Sequence, residues 1–154
     1  MRSIRRVDAV EPVVHRLAEA KHPSTGQPIF QFYRDLALFA ALIGYETDTR
    51  VKVEGECKEL VEGRVFGRDD LAIDLLCLVA LAATQDVEIL RPENEDKAMD
   101  VFESFVNGGL RILGDWLKET PEDPNGDRAL LSALYKYKFL NGDHAEDTLD
   151  NVSF

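Results

Sequence analysis

Apolar residues recur at intervals of three and four through most of this chain, the spacing that gives an α-helix one apolar face. The pattern predicts a short helix from Val10 to Lys21, a strongly apolar helix from Ile29 to Tyr45, and a third that opens at Arg68–Asp70. A long helix follows Pro92, and a last one follows Asp127. The sequence therefore predicts a mostly α-helical bundle of about five helices.

A small β element is predicted between the second and third helices. Polar and β-branched residues alternate over Arg50–Glu54, which favours a short strand with one buried face. A second extended piece over Arg64–Phe66 would pair with it, although the intervening Cys57–Glu62 could equally form one helical turn. We expect at most two short strands.

The third helix is expected to be buried. Its apolar run, Leu71 to Ala83, is interrupted by Asp74 and falls short of the ~20 residues that span a bilayer. Its leucines are predicted to supply core side chains: Leu71, Leu75, Leu78 and Leu81.

Two acids stand inside strongly apolar helices, where an unpaired carboxylate would be costly. Asp35 and Asp74 are each predicted to lie at an exposed edge or to pair with an arginine, such as Arg34, Arg50 or Arg111. The alternative is a functional acid in a cleft. Gly44 is placed to end the helix that contains Asp35.

The long helix carries a polar and small triplet, Asn107-Gly108-Gly109, without losing its helical phase. Two glycines inside a helix cost about 2 kcal/mol relative to alanines, so they need a compensating contact or mark a kink. Only Ala40-Ala41 offers a matching small surface, which predicts a close crossing of the two helices. The alternative is an exposed thin spot available to a partner.

The chain is strongly acidic overall. The 154 residues include 29 acids and 18 bases, a formal net charge of −11, which disfavours long-range attraction to a phosphate backbone. Direct DNA binding would need a mobile basic arm, for which Arg2, Arg5 and Arg6 are the candidates. We expect one helical domain over residues 1–140 and an acidic tail over residues 141–154.

No sequence motif for catalysis or cofactor binding occurs. The three histidines are scattered, the serines lack a nucleophile elbow, and no glycine-rich phosphate loop is present. Cys57 and Cys77 lack the paired spacing of a zinc site, and no secretory leader precedes them, which predicts a cytoplasmic protein without metal or cofactor. A small enzyme would need a site assembled from residues distant in sequence.

Phe30 to Tyr45 combines an aromatic start, an Asp-Leu and Phe-Ala-Ala core and a glycine-aromatic stop. In this pattern the segment resembles the DNA phosphorothioation-associated protein 4 family. Val101 to Leu110 is similar to its Asn-Gly-Gly-Leu run, with Phe105 in place of a tyrosine. The resemblance extends from about residue 5 to residue 120, and the family pattern does not predict the acidic tail.

The resemblance implies an accessory protein of a bacterial DNA phosphorothioation-linked defence system, but it supplies no catalytic residues. We therefore expect a regulator or adaptor that contacts protein components of a DNA-modification or restriction system. The rivals are a direct DNA-binding regulator and a small enzyme. The candidate binding residues are Arg34, Asp35, Arg50, Asn107, Gly108 and Gly109.

Overall fold

The computed structural model describes residues 1–141, so the predicted acidic tail, apart from Asn141, lies outside the described residues. The elements in chain order are β1 (Ile4–Arg6), α1 (Glu11–Val14), α2 (Tyr33–Glu46), β2 (Lys58–Val61), α3 (Gly63–Phe66), α4 (Asp70–Thr84), α5 (Glu95–Glu119) and α6 (Asp127–Lys136). A 3-10 turn precedes α1 and a π turn, His15–Glu19, extends it. The prediction of a mostly helical fold with a small two-stranded sheet is confirmed.

Helix α5 lies at the centre of the described structure. Nine consecutive residues, Phe102 to Leu110, are buried. Since a helix turns every 3.6 residues, burial over more than two turns means that neighbouring chain surrounds α5 on every side. The hydrophobic core therefore forms around this helix, with α2 and α4 both packed against it.

Small residues bring α2 and α5 into backbone contact. A Cβ on Gly109 would overlap the carbonyl group of Ala40, and a Cβ on Gly44 would overlap the carbonyl oxygen of Phe105. The contacts pair a later residue of α2 with an earlier one of α5, so the two helices run antiparallel. The predicted close crossing at Ala40 is confirmed, and the exposed thin spot is wrong because Asn107, Gly108 and Gly109 are all buried.

Gly44 does not end α2, which continues to Glu46. The prediction took this glycine for a left-handed stop, whereas Gly44 remains helical and its missing Cβ lets the Phe105 carbonyl of α5 approach. The start of α2 also differs from the prediction. Residues 29–32 precede the helix, and Phe32 is extended.

The prediction that α4 is a buried helix with a leucine core face is wrong. Its buried residues are Ala72, Leu76, Val79 and Ala80. Leu71 and Leu78 are 63% and 59% exposed, whereas Leu75 and Leu81 are half-buried against the core. The helix is apolar on more than one face, and its smaller face packs inward. Within residues 1–141, no helix is long and apolar enough to cross a membrane.

The two strands are not those predicted from the sequence. β1 pairs antiparallel with β2, with Arg5 opposite Glu59 and Arg6 opposite Lys58. The predicted strand at Arg50–Glu54 has no strand beside it; it lies against α5, where the Val51 amide donates to the Ser104 carbonyl. Arg64–Phe66 lies within the helical turn α3 instead.

Carboxylates cap two of the helices. Asp69 Oδ1 accepts a hydrogen bond from the Ala72 amide at the start of α4, as the acidic opening of this helix predicted. At α6 the capping acceptor is Asp123, whose Oδ2 accepts from the Ala129 amide at 2.9 Å. Asp127, which the sequence placed just before the last helix, is instead the first residue of α6.

We expect Gly109→Ala to lower the free energy of unfolding by about 1–3 kcal/mol, because the added methyl group must push α2 and α5 apart. The same substitution in an open helix would stabilise by up to about 1 kcal/mol. Denaturant melts of the parent and the variant measure the difference.

Gly114→Ala is the matched control in the same helix. Its Cβ would meet only the Val13 Cγ2 methyl, at 2.8 Å, which is a side-chain atom instead of backbone. Gly114→Ala should therefore cost less than Gly109→Ala. Equal stability of Gly109→Ala and the parent would contradict the close crossing.

Candidate functional site

Asn107 links α5 to the N-terminal strand as though its side chain were a peptide group. Its Oδ1 accepts from the Val7 amide at 2.9 Å, and its Nδ2 donates to the Arg5 carbonyl at 3.0 Å. Nδ2 also donates to the Glu103 carbonyl one turn earlier. The fully buried amide is thus satisfied at both ends, and it occupies the edge of β1 that β2 leaves open.

Glu103 gathers the N-terminal arginines one helical turn before Asn107. The carboxylate is only 2% exposed. Arg2 Nη1 donates to Oε2 at 2.8 Å, and Arg5 Nη2 donates to Oε1 at 2.8 Å. The Arg5 backbone amide donates to Oε2 as well, at 2.7 Å. A buried acid of this kind is tolerated because charged donors and a backbone amide share its oxygens.

The environment of Glu103 holds opposing influences on its ionisation. Burial alone raises the pKa of the Glu103 carboxyl, whereas the hydrogen bonds from Arg5 and Arg2 lower it, and the balance leaves the pKa below its ordinary value. The same contact raises the pKa of the Arg5 guanidinium. Both partners are therefore held in their charged forms.

Within the described residues, the structure does not show the mobile basic arm that the alternative of direct DNA binding would need. Ile4 is fully buried, and residues 4–6 form β1. Arg2 also pairs with Asp100, and Arg6 pairs with Glu11 at 2.8 Å. The three arginines are thus fixed on the body of the protein and each faces a carboxylate.

Arg34 and Asp35 lie at the start of α2, away from Asn107 and Glu103. Arg34 Nε lies 3.2 Å from Asp35 Oδ1, and its Nη1 lies 3.0 Å from Asp69 Oδ2 at the start of α4. The guanidinium therefore ties two helix starts together, and the arginine partner predicted for Asp35 is Arg34. Because Asp35 is partly exposed, this surface pair is expected to stabilise the fold by less than about 1 kcal/mol.

Arg50 lies four residues after the end of α2 and packs against α5. Its guanidinium carbon lies 4.7 Å from the centre of the Phe105 ring, and its Nε donates to Ser104 Oγ at 3.1 Å. The chain reaches this position by passing directly over Gly108, whose missing Cβ leaves room for the Thr49 carbonyl. Arg50 also lines an open depression of about 420 Å³ with Glu46 and Asp48.

A larger groove of about 490 Å³ runs between β2 and the start of α2. Four consecutive residues on each side line it, Glu59–Glu62 and Gln31–Arg34. Arg6 and Val65 complete the lining, and Phe32 and Tyr33 are exposed. Its lining carries both signs of charge, with Glu59 and Glu62 opposite Arg6 and Arg34. Each of the two arginines already pairs with a neighbouring acid.

The outer side of α4 exposes large apolar side chains, with Leu71 63% and Leu78 59% exposed. Leu71, Leu75 and Leu78 recur at intervals of four and three, so they share one side of the helix, which we call the leucine face. Leu71 and Leu78 are exposed, whereas Leu75 between them is half-buried against the core. Asp74 lies three residues after Leu71 and four before Leu78, and therefore on the same side. Within residues 1–141, Asp74 forms no ion pair.

Asp35 and Asp74 both stand at the surface, and neither lines the two depressions. In the part of the chain that the structure describes, no three His, Cys, Asp or Glu side chains lie close enough together to hold a metal ion.

The sequence-predicted residues thus fall into separate places. Asn107 lies with Arg2 and Arg5, while Gly108 lies with Arg50, and Arg34 and Asp35 are apart from both. Sequence reasoning missed Glu103 and the exposed leucines. The spacing of four between Glu103 and Asn107 was the available signal, because it predicts two polar groups on one side of an otherwise apolar helix.

The chain belongs to the DNA sulphur modification system-associated protein 4 family, whose model matches residues 3–152. The family resemblance expected from the sequence is therefore confirmed, and the match reaches beyond residue 120 into the acidic tail. Searches of the curated proteins and of the solved structures return no match. Membership associates the protein with a DNA sulphur modification system.

We expect Glu103→Gln to lower the free energy of unfolding at neutral pH by about 1–3 kcal/mol, because it removes the negative charge that Arg2 and Arg5 share and replaces one acceptor oxygen with an NH2 donor. The loss should shrink on acidification. A carboxyl whose pKa is lowered by folding stabilises the native state above its ordinary pKa of about 4.3, and this stabilisation disappears as the pH falls through the native value.

Urea melts of both proteins at about pH 7 and at about pH 3.5, on either side of the ordinary Glu value, measure this change. Asp100→Asn is the matched control, since Asp100 also pairs with Arg2 but is 67% exposed. It should cost less than Glu103→Gln at neutral pH. A Glu103→Gln defect that is equally large at both pH values would contradict the ion-pair role.

Proposed function

We propose that the protein is an accessory adaptor of a DNA sulphur modification system and acts by binding one of the system's protein components. Family membership supplies the association with the system. The adaptor role goes beyond that association. It is the regulatory or adaptor reading that the sequence suggested, applied to a specific surface.

The observation that carries the proposal is the exposure of Leu71 and Leu78 on α4. Burying a leucine side chain is worth about 1.5–3 kcal/mol, and the isolated chain leaves this gain unrealised at both positions. Contiguous exposed apolar side chains on a soluble protein mark contact surfaces more often than single scattered ones do. Val87 and Leu90, just after α4, are exposed as well.

The candidate residues around Asn107 support the proposal indirectly. Asn107, Gly108 and Gly109 are buried, and Arg50 covers the helix crossing, so their contacts are within the chain. We propose that they hold the scaffold rigid while α4 and the groove beside Phe32 remain open to partners. A rigid scaffold lowers the entropy lost on binding.

We expect the tagged protein, co-expressed with the protein components of the sulphur modification system, to co-purify with at least one of them at physiological salt. Apolar burial contributes most of such a contact, so raised salt should weaken it without abolishing it. Affinity purification followed by light scattering measures the complex and its stoichiometry.

The control is an unrelated helical protein of similar acidity carrying the same tag, which reports capture by charge alone. If no component of the system binds the parent protein above this control, the adaptor proposal is wrong.

Direct DNA binding is the alternative, and we expect it to be weak. The net charge of −11 repels the phosphate backbone, and Arg2, Arg5 and Arg6 already face carboxylates. Gel shifts at physiological salt should give dissociation constants above about 1 µM, in the range of non-specific binding.

Glu103→Gln is a more sensitive test for DNA binding by these arginines, because it removes the carboxylate that pairs with Arg2 and Arg5 and keeps both arginines. Because Glu103→Gln also weakens the attachment of β1, its binding is measured at a temperature at which thermal melts show both proteins folded. Submicromolar binding by the parent, steeply weakened by salt, would contradict the expectation and favour a DNA-binding regulator.

A further inference from the structure

The leucine face carries one sign of charge. From Asp69 to Leu90 the sequence holds five acids and no lysine, arginine or histidine. Two of these acids are engaged elsewhere, since Asp69 pairs with Arg34 and Glu88 pairs with Arg91. Asp70, Asp74 and Asp86 form no ion pair within the described residues, so they are available to an incoming cation.

Asp74 is the most informative of them because it interrupts the leucine face itself. A carboxylate between Leu71 and Leu78 would have to lose its hydrating water when a purely apolar surface covered it, which opposes binding. A partner that brings a lysine or arginine to this position offsets that cost with a charge-assisted hydrogen bond. The face therefore favours a partner that is apolar in the middle and basic beside it.

The shape of the surface favours a helix as the occupant. Side chains spaced by four and three residues form a ridge that fits the groove of another helix. An extended peptide would instead leave its backbone amides and carbonyls facing leucine side chains, where they find no hydrogen-bond partner. The face offers no backbone edge of its own, because α4 satisfies its backbone internally.

A second copy of this chain fits poorly for electrostatic reasons. Pairing two leucine faces would bring acids of both copies into one interface, and like charges across an interface oppose association. Each copy also carries a net charge of −11. The chain's own acidic sequence after Asn141 has the same sign and is disfavoured on the same ground.

We infer that the leucine face binds an amphipathic helix of a sulphur modification component, one whose apolar stripe is bordered by lysine or arginine. This inference rests on the proposed adaptor function and adds the location and the chemistry of the contact. Leu71 and Leu78 fill the groove of the bound helix, and Asp70 and Asp74 pair with its basic side chains.

The experiment measures binding of the purified component that co-purifies with the parent, using four variants of the full chain. One double variant, Leu71→Ser with Leu78→Ser, removes the apolar contact. A second double variant, Asp70→Lys with Asp74→Lys, reverses the charge. Because these side chains are exposed, all four substitutions should leave the fold intact, which circular dichroism and thermal melts verify. The matched controls are Leu140→Ser and Asp115→Lys, which change exposed residues outside α4.

Each α4 variant should weaken binding about tenfold or more, as loss of a central contact does, while the controls bind like the parent. The charge-reversal variant should also lose the parent's salt dependence. A photo-crosslinking residue at position 78 should then mark a lysine- or arginine-bearing helix of the component.

Three results would overturn the inference, and they differ from one another. Binding of the α4 variants at parent affinity would place the contact elsewhere and leave the adaptor proposal standing. A parent dimer that the Leu71→Ser and Leu78→Ser variant dissolves would make the occupant a second copy. Failure of every component to bind the parent would remove the adaptor proposal and the inference together.

Discussion

The fold depends on satisfying the polar groups of a helix that is buried on every side. Glu103 and Asn107 are 2% and 0% exposed, so each must find its partners within the protein. Both find them in the first seven residues, through the Arg2 and Arg5 side chains and the backbone of β1. The N-terminal segment is therefore part of the core, and β2 has a strand to pair with only because α5 holds β1 in place.

A second constraint follows from the same helix. Gly109 lets α2 approach to backbone contact, and Gly108 lets residues 49–50 cross on the neighbouring side. The two glycines cost about 2 kcal/mol in helix propensity, which the closer packing offsets. With α2, β1 and residues 49–50 occupying these sides of α5, α4 covers another, and its own outer side is left to solvent.

The sequence was sufficient to predict the helices and the glycine crossing, because hydrophobic spacing and residue size act locally or between two recognisable patches. It was insufficient for the sheet, since a three-residue strand has no periodicity to detect and its register depends on α5 side chains about 100 residues away. The inward face of α4 was also unpredictable from periodicity, because a helix apolar on several sides offers more than one candidate core face. The face that packs inward carries Ala72 and Ala80, whose small side chains allow a closer approach than leucines do.

The leucine face is informative about function because it is an apolar side of α4 additional to the side that packs into the core. A helix needs only one apolar face to join a core, and Ala72, Leu76, Val79 and Ala80 already provide it. Leu71 and Leu78 add nothing comparable to folding, and they raise the risk of non-specific association. Side chains that folding does not require, on a face that Asp74 marks with a single charge, are the residues whose presence a partner best explains. The buried triplet Asn107-Gly108-Gly109, by contrast, is fully explained by the fold, so the most recognisable motif of the sequence and its most informative surface lie on different helices.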